Sequence, residues 1–181
     1  MKTSERRLKL CKEFWPDEHA WTGKNEKGWF PSPRTLPLVL ALLGSKELSG
    51  KCDPSKVYLE LLARHISDGV IEMAHEGEHA FAAGYVGNRA VRTWHERVRL
   101  LEKNGFIKTK AKGNQLFGWV LLVHPTAAVQ RLRDAGKVPE RWWDAYRGRR
   151  IETGARPYKD LEREKPSEKV VPIKTAKANA R

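Results

Sequence analysis

The sequence predicts an α+β fold that is mainly helical and carries a small β-hairpin. Three observations lead to this prediction. Apolar residues recur with helical spacing in several segments between residues 36 and 150. Two runs with strand character, at 106–109 and 116–123, flank a basic turn that contains Gly113. Beyond residue 150 hydrophobic density falls, and charges of both signs alternate with prolines.

These patterns divide the 181 residues into three parts. Residues 1–34 mix charges with aromatic side chains and are interrupted by glycines and prolines, so we expect an irregular aromatic and basic arm. Residues 35–150 are predicted to form the folded domain with its C-terminal helices, around a central region at 55–123. Residues 151–181 are predicted to be a disordered, charged and basic tail.

The first elements of the domain follow from apolar spacing and from capping residues. Leu36 to Leu43 is almost wholly apolar and ends at Gly44, which favours a buried helix. Asp53-Pro54-Ser55 supplies an N-cap followed by proline at the first helical position, and this helix is predicted to run to about His65. Val70 to Met73 is a short strand candidate.

Two helices and the hairpin follow. A helix at about 77–83 ends at Gly84, and a longer helix runs from about residue 88 to 103, with Asn104-Gly105 as its stop. The turn of the hairpin is predicted at Lys110 to Gln115. The central region therefore has the order helix, strand, helix, helix, hairpin.

Two further helices are predicted at the C-terminal end of the domain, because Pro125 and Pro139 stand at suitable first positions. The second contains Trp142, Trp143 and Tyr146, with arginines between and after them. Such aromatics can stack on bases, but they more often dock a helix onto its own domain or form a dimer interface. We expect docking or dimerisation.

Composition limits the partners. Lys and Arg total 35 against 22 Asp and Glu, so the net charge is +13 and polyanions are attracted, nucleic acid being the commonest. The longest apolar stretch, 36–43, is far shorter than the roughly 20 residues of a membrane span, so no membrane contact is expected. The start of the chain lacks the apolar stretch of a secretion signal. Cys11 and Cys52 are isolated and expected to be free thiols, which suits a cytoplasmic location.

The helix predicted at 88–103 has two unlike faces when its residues are placed at about 100° each. One face gathers Val91, Trp94, Val98 and Leu101 and is expected to pack on the core. The opposite face carries four cations and one carboxylate: Arg89, Arg92, Glu96, Arg99 and Lys103. A basic amphipathic helix is often only a solvated face; here the hairpin and the net charge favour a polyanion as its partner.

The order of elements at 55–123 resembles the winged helix-turn-helix superfamily, of the bacterial, phage or mobile-element type. The resemblance is carried by VYLELLARH, DGVIEM, AFAAGYVGNRAVRTWHERVRLLEKNGFI and KTKAKGNQLFGWVLLV. Ala80 and Gly84 match the small residue and the turn glycine of a helix-turn-helix. The resemblance implies a nucleoid-associated protein that binds double-stranded DNA, as a transcriptional regulator or a replication or maintenance factor. A homodimer or another protein partner is compatible with it.

In that interpretation the helix at 88–103 enters the major groove, where Arg pairs with guanine and Glu accepts from cytosine. Asn88 is predicted as its N-cap, close to a phosphate. Arg99 and Lys103 are expected beside the DNA backbone. Contacts with base edges are predicted for Arg89, Arg92, Thr93 and Glu96.

The hairpin is expected to add contacts with a phosphate strand or the minor groove. Its polar residues are spaced by two and should therefore project from one face. They are Lys108, Lys110, Lys112 and Asn114. An alternative function is that of an assembly protein, which uses the same surface to dock RNA or an acidic protein.

One motif competes with these predictions. His75-Glu76-Gly77-Glu78-His79 fits the H-E-x-x-H pattern of zinc hydrolases. That pattern requires a stable helix, whereas here it falls where a strand gives way to a short helix and has glycine at its centre. Without a phosphate-cradling glycine loop, a nucleophile elbow or a CxxC pair, the sequence predicts no enzyme, no metal and no cofactor.

Overall fold

The helices and strands follow the predicted order. The structure is a computed structural model that describes residues 9–10, 13–14, 28, 30–65 and 69–155. From residue 36 onward its elements are α1 (Leu36–Leu43), α2 (Lys46–Ser49), α3 (Ser55–Arg64), β1 (Val70–Glu72), α4 (Glu76–Ala82), α5 (Ala90–Lys103), β2 (Ile107–Lys112), β3 (Gln115–Leu122), α6 (Pro125–Asp134) and α7 (Glu140–Glu152). This is an α+β fold, as predicted. None of the helices in these ranges is long and apolar enough to cross a membrane.

The core forms between one face of the sheet and the helices α1, α3, α4, α5, α6 and α7, and Trp94 lies within it. The Trp94 side chain is fully buried, with its ring centroid 5.9 Å from that of His79 and 6.1 Å from that of Phe117. Val98 and Leu101, on the same face of α5, are also fully buried, and Val91 is half-buried. The predicted apolar face of this helix is therefore confirmed.

The three strands form one antiparallel sheet in the order β1-β3-β2. The hairpin is tighter than predicted, because the strands run on to Lys112 and start again at Gln115, which pair with each other. Only Gly113 and Asn114 remain in the turn, and Gly113 has a φ of 57°, a conformation that glycine adopts without strain. The predicted turn at 110–115 is wrong, because a turn of two residues closes the hairpin.

A bulge in β3 interrupts the regular pairing of the hairpin. Between the pairs Lys110–Trp119 and Lys112–Gln115, β2 contributes one residue and β3 contributes three. Gly118 lies in this bulge, where a Cβ atom would stand 2.2 Å from the Cβ of Lys112. Glycine is required there because the two strands approach too closely for a side chain.

Several boundaries differ from the predicted ones. Helix α3 begins at Ser55 with Pro54 as its N-cap residue, although the Asp53 carboxylate still accepts a hydrogen bond from the Ser55 amide at 2.8 Å. The short helix α2 was not predicted. Helix α7 continues to Glu152, two residues into the predicted tail. Residues 156–181 of that tail and most of the predicted arm, with Cys11, lie outside the described residues, while Cys52 is a free thiol.

Helix α7 docks onto its own domain, as expected. The Trp142 indole N–H donates to the carbonyl oxygen of Leu38 in α1 at 3.0 Å. Its ring stacks on that of Tyr146 at 4.9 Å, and Tyr146 is 1% exposed. Arg133 of α6 lies 5.4 Å from the ring centroid of Trp143. The aromatic residues of α7 thus join it to α1 and α6.

Candidate nucleic-acid interface

The cationic face of α5 is exposed along its length. Arg89 immediately precedes the helix, and Arg92, Arg99 and Lys103 follow on the solvent side. The Arg92 side chain is 80% exposed. Because the opposite face of α5 is held in the core, these four cations project from a fixed helix.

Glu96 lies among these cations and pairs with one of them, Arg92, and with Arg97. Its Oε1 atom lies 3.6 Å from Nε of Arg92, and its Oε2 atom accepts from Arg97 at 2.9 Å. The half-buried Thr93 lies one turn before Arg97 and accepts a long hydrogen bond from it, 3.4 Å, at its backbone carbonyl. A contact between Glu96 and a cytosine would therefore replace existing ion pairs.

Arg97 is a residue that the sequence prediction missed. Its guanidinium lies 5.7 Å from the ring centroid of Tyr85, and its side chain is only 16% exposed. Burial raises the pKa of Tyr85, and the charge of Arg97 opposes part of that rise. Tyr85 follows the turn at Gly84, so Arg97 joins α5 to the segment that connects it with α4.

Asn88 is not the N-cap of α5, which corrects the prediction. The cap residue is Arg89, whose carbonyl accepts the first helical hydrogen bond from Thr93 at 2.9 Å. Gly87 has a φ of 83°, and its carbonyl accepts from the Ala90 amide at 3.0 Å. This turn, made possible by the glycine, delays the helix and leaves Asn88 exposed one residue before the cap.

Histidines and glutamates hold α4 against its neighbours. The buried His79 lies with its Nδ1 atom 3.0 Å from the Glu60 carboxylate of α3, and Glu76 lies 2.9 Å from Nε2 of His95 in α5. His75 precedes α4 and is exposed. The residues of the H-E-x-x-H motif therefore face different partners, and no group of three potential metal ligands occurs within the described ranges.

Glu102 joins the end of α5 to the hairpin. Its Oε1 atom accepts from the backbone amide of Thr109 at 2.9 Å and from the Thr109 hydroxyl at 2.7 Å. Strand β2 lies at the edge of the sheet. The Glu102 carboxylate therefore accepts a hydrogen bond from a backbone N–H that is not bonded to a neighbouring strand. The contact sets the position of β2 relative to α5.

The hairpin lysines lie on the sheet face opposite to α5. Lys108 and Lys110 alternate with Thr109, pair with Leu121 and Trp119, and are exposed. These residues belong to what we call the outer face of the sheet.

Lys112 also lies on this outer face, where its side chain already has partners. Its ammonium group forms an ion pair with Glu72 of β1 and lies 5.2 Å from the ring centroid of Trp119. Asn114 is exposed at the tip of the hairpin. The predicted residues therefore form two surfaces, one on α5 and one on the hairpin.

Burial and pairing decide which charged side chains between residues 88 and 115 remain exposed to a partner. From Asn88 to Gln115 the sequence has eight Lys or Arg and two Glu. Arg97 is turned inward and Lys112 is paired, while Glu102 is held by Thr109. Besides the paired Lys112, six cations of this segment are exposed: Arg89, Arg92, Arg99, Lys103, Lys108 and Lys110. Glu96 is the acidic residue that remains close to them.

Comparison with protein-family models, with curated proteins and with solved structures gives no match for this chain.

Proposed function

We propose that this chain is a winged helix-turn-helix protein that binds double-stranded DNA by placing α5 in the major groove. The observation that carries the proposal is the row of exposed cations on α5, whose opposite face is fixed in the core. A helix of 14 residues is about 21 Å long and fits a groove about 12 Å wide. We further propose a role in transcription, replication or maintenance of a plasmid, phage or integrated element.

Different parts of this surface are suited to different parts of the DNA. Arg89 and Arg92, at the start of α5, are suited to base edges, since the first turns of a recognition helix lie deepest in the groove. Arg99 and Lys103, further along, are suited to phosphates. Asn114 at the hairpin tip and Lys110 on the outer face are suited to phosphate or minor-groove contacts. Contacts with four to six phosphates give a slope of about −4 to −5 for log K against log salt.

The test is fluorescence-anisotropy binding to random duplexes of about 30 base pairs, enough for two half-sites one helical turn apart. Single-stranded DNA and duplex RNA are measured alongside, across a salt titration. The charge reversal Arg92→Glu should weaken duplex binding at least about tenfold, because it removes an attractive contact and adds a repulsive one. Absence of duplex binding at low salt would overturn the proposal.

A matched control distinguishes the loss of a specific contact with DNA from the effect of a lower net charge. Arg131 is exposed on α6, outside the proposed interface, so Arg131→Glu makes the same change in net charge. Equal losses in Arg131→Glu and Arg92→Glu would mean that α5 is no more important than any other basic surface. Since Glu at position 92 would also lie beside Glu96, the neutral change Arg92→Gln serves as a second variant.

A second candidate, an assembly protein, is favoured by the outer face of the sheet. Val70, Trp119 and Leu121 remain 43%, 37% and 44% exposed there, next to Lys108 and Lys110. Apolar groups flanked by lysines suit an acidic protein partner. In that case Leu121→Asp should abolish assembly and Arg92→Glu should leave it unchanged.

A further inference from the structure

A second cationic site lies at the junction of three helix ends. The start of α1, the start of α6 and the end of α7 enclose a pocket of about 450 Å³. Two arginines, one histidine and three threonines contribute to its lining: Arg34, Arg150, His124, Thr35, Thr126 and Thr153. None of the described residues that line it is acidic. Its volume lies in the range typical of small-molecule sites.

The arginines of this pocket are suited to an anion. Arg34 is exposed, and no carboxylate of the described residues lies within ion-pair distance of it. The guanidinium of Arg150 lies 5.9 Å from the ring centroid of Tyr146, which orients it. Guanidinium groups present paired N–H donors that match the oxygens of a phosphate.

The remaining polar groups add donors. Nδ1 of His124 accepts from the Thr126 amide at 3.2 Å, so the neutral ring carries its proton on Nε2, which is a donor. The Thr126 hydroxyl accepts from Tyr146 at 3.3 Å and keeps its own proton for a ligand. The start of α6 itself offers little, because Pro125 has no N–H and the Thr126 amide is used. The site therefore depends on side chains.

The pKa of His124 also indicates a positive potential in the pocket. Burial, and then the positive charge of Arg150, lower the pKa of His124. The positive potential that disfavours a proton on this imidazole favours an anion in the same place.

We propose that this pocket binds a phosphate group, held by Arg34 and Arg150 and by the donors of His124 and Thr126. The phosphate can come from a free ion or nucleotide, or from a nucleic-acid backbone. The site is separate from α5, so the proposal does not depend on the proposed function.

The experiment is a titration of the full chain with inorganic phosphate and with adenosine monophosphate, at constant ionic strength, followed by the imidazole NMR signals. The His124 signal, assigned by its loss in His124→Asn, should move saturably, and its pKa should rise as the anion binds. Arg34→Gln should weaken binding on the order of tenfold, since one charge-assisted contact is lost. The control Arg131→Gln, also an exposed arginine, should leave the affinity unchanged.

Two results would overturn the proposal: no saturable shift of the His124 signal with either ligand, or equal weakening in Arg34→Gln and Arg131→Gln. Because Arg34 is exposed, its replacement should not unfold the chain; circular dichroism checks this. The charge reversal Arg92→Glu should retain phosphate binding, so a failure of the α5 model and a failure of this pocket are distinguishable.

The duplex-binding assay then assigns the source of the phosphate. If it belongs to a DNA backbone, Arg34→Gln should lower the magnitude of the salt slope by about one, while Arg131→Gln should not. If it is a free ion or nucleotide, both variants should bind duplex DNA alike.

Discussion

Replacing Glu102 by alanine tests whether one carboxylate fixes the hairpin to α5. The substitution removes two hydrogen bonds to Thr109, at 2.9 and 2.7 Å, and leaves the backbone N–H of an edge strand to water. Hydrogen bonds to charged groups contribute about 1.5–3 kcal/mol each where buried, but this contact is only partly buried. We therefore expect the free energy of unfolding to fall by about 2 kcal/mol for the pair.

Urea denaturation followed by circular dichroism measures this loss. Thr109→Val provides a matched comparison, because it removes the hydroxyl bond and keeps the bond from the backbone amide. It should cost about 1 kcal/mol, and the two substitutions together should cost less than the sum of their separate effects. If Glu102→Ala changes the free energy of unfolding by less than about 0.5 kcal/mol, the hairpin is positioned by the remaining contacts and our reasoning is wrong.

Three further predictions concern stability. Gly118→Ala should destabilise the fold by about 1–3 kcal/mol, because its Cβ would overlap the facing strand, whereas Gly77→Ala in α4, with nothing within 4 Å, should stabilise it slightly; denaturant titration of both variants decides. The lowered pKa of His124 means that the unfolded chain, with a pKa of about 6.5, binds this proton more tightly, so stability should fall as the pH drops below about 6.5. His124→Asn, which keeps a capping acceptor, should flatten this part of the pH dependence of the melting temperature; an unchanged profile would contradict the assignment. Trp142→Phe should cost about 1 kcal/mol in the same titration, from the lost hydrogen bond to Leu38, and a neutral result would mean that stacking alone holds α7.

The elements with strong periodicity were predicted correctly from the sequence. On α5, the positions of Trp94, Val98 and Leu101 were enough to place the buried face, and the cations opposite are exposed as expected. Local turn chemistry was less informative. The glycine at position 87 displaced the cap from Asn88, and the bulge at Gly118 changed the register of the hairpin.

Contacts between residues far apart in the chain could not be predicted from the sequence. Glu60 and His79 are 19 residues apart, and either could have formed a local pair on its own helix. Arg97 was assigned no role from the sequence, because its partner Tyr85 lies in a turn whose path is determined by the packing of α4 and α5. The opposite orientation of the hairpin lysines likewise follows from sheet packing.

The position of β2 at the border of the sheet has a consequence for solubility. An unpaired border strand is a template on which a second chain can add, and proteins often prevent this with lysines or by covering the free backbone groups. Here Lys108 and Lys110 lie on that strand, and Glu102 covers one of its amides. Neutral residues at both lysines would remove charge repulsion between chains, so the same positions that favour a polyanion also guard the protein against self-association.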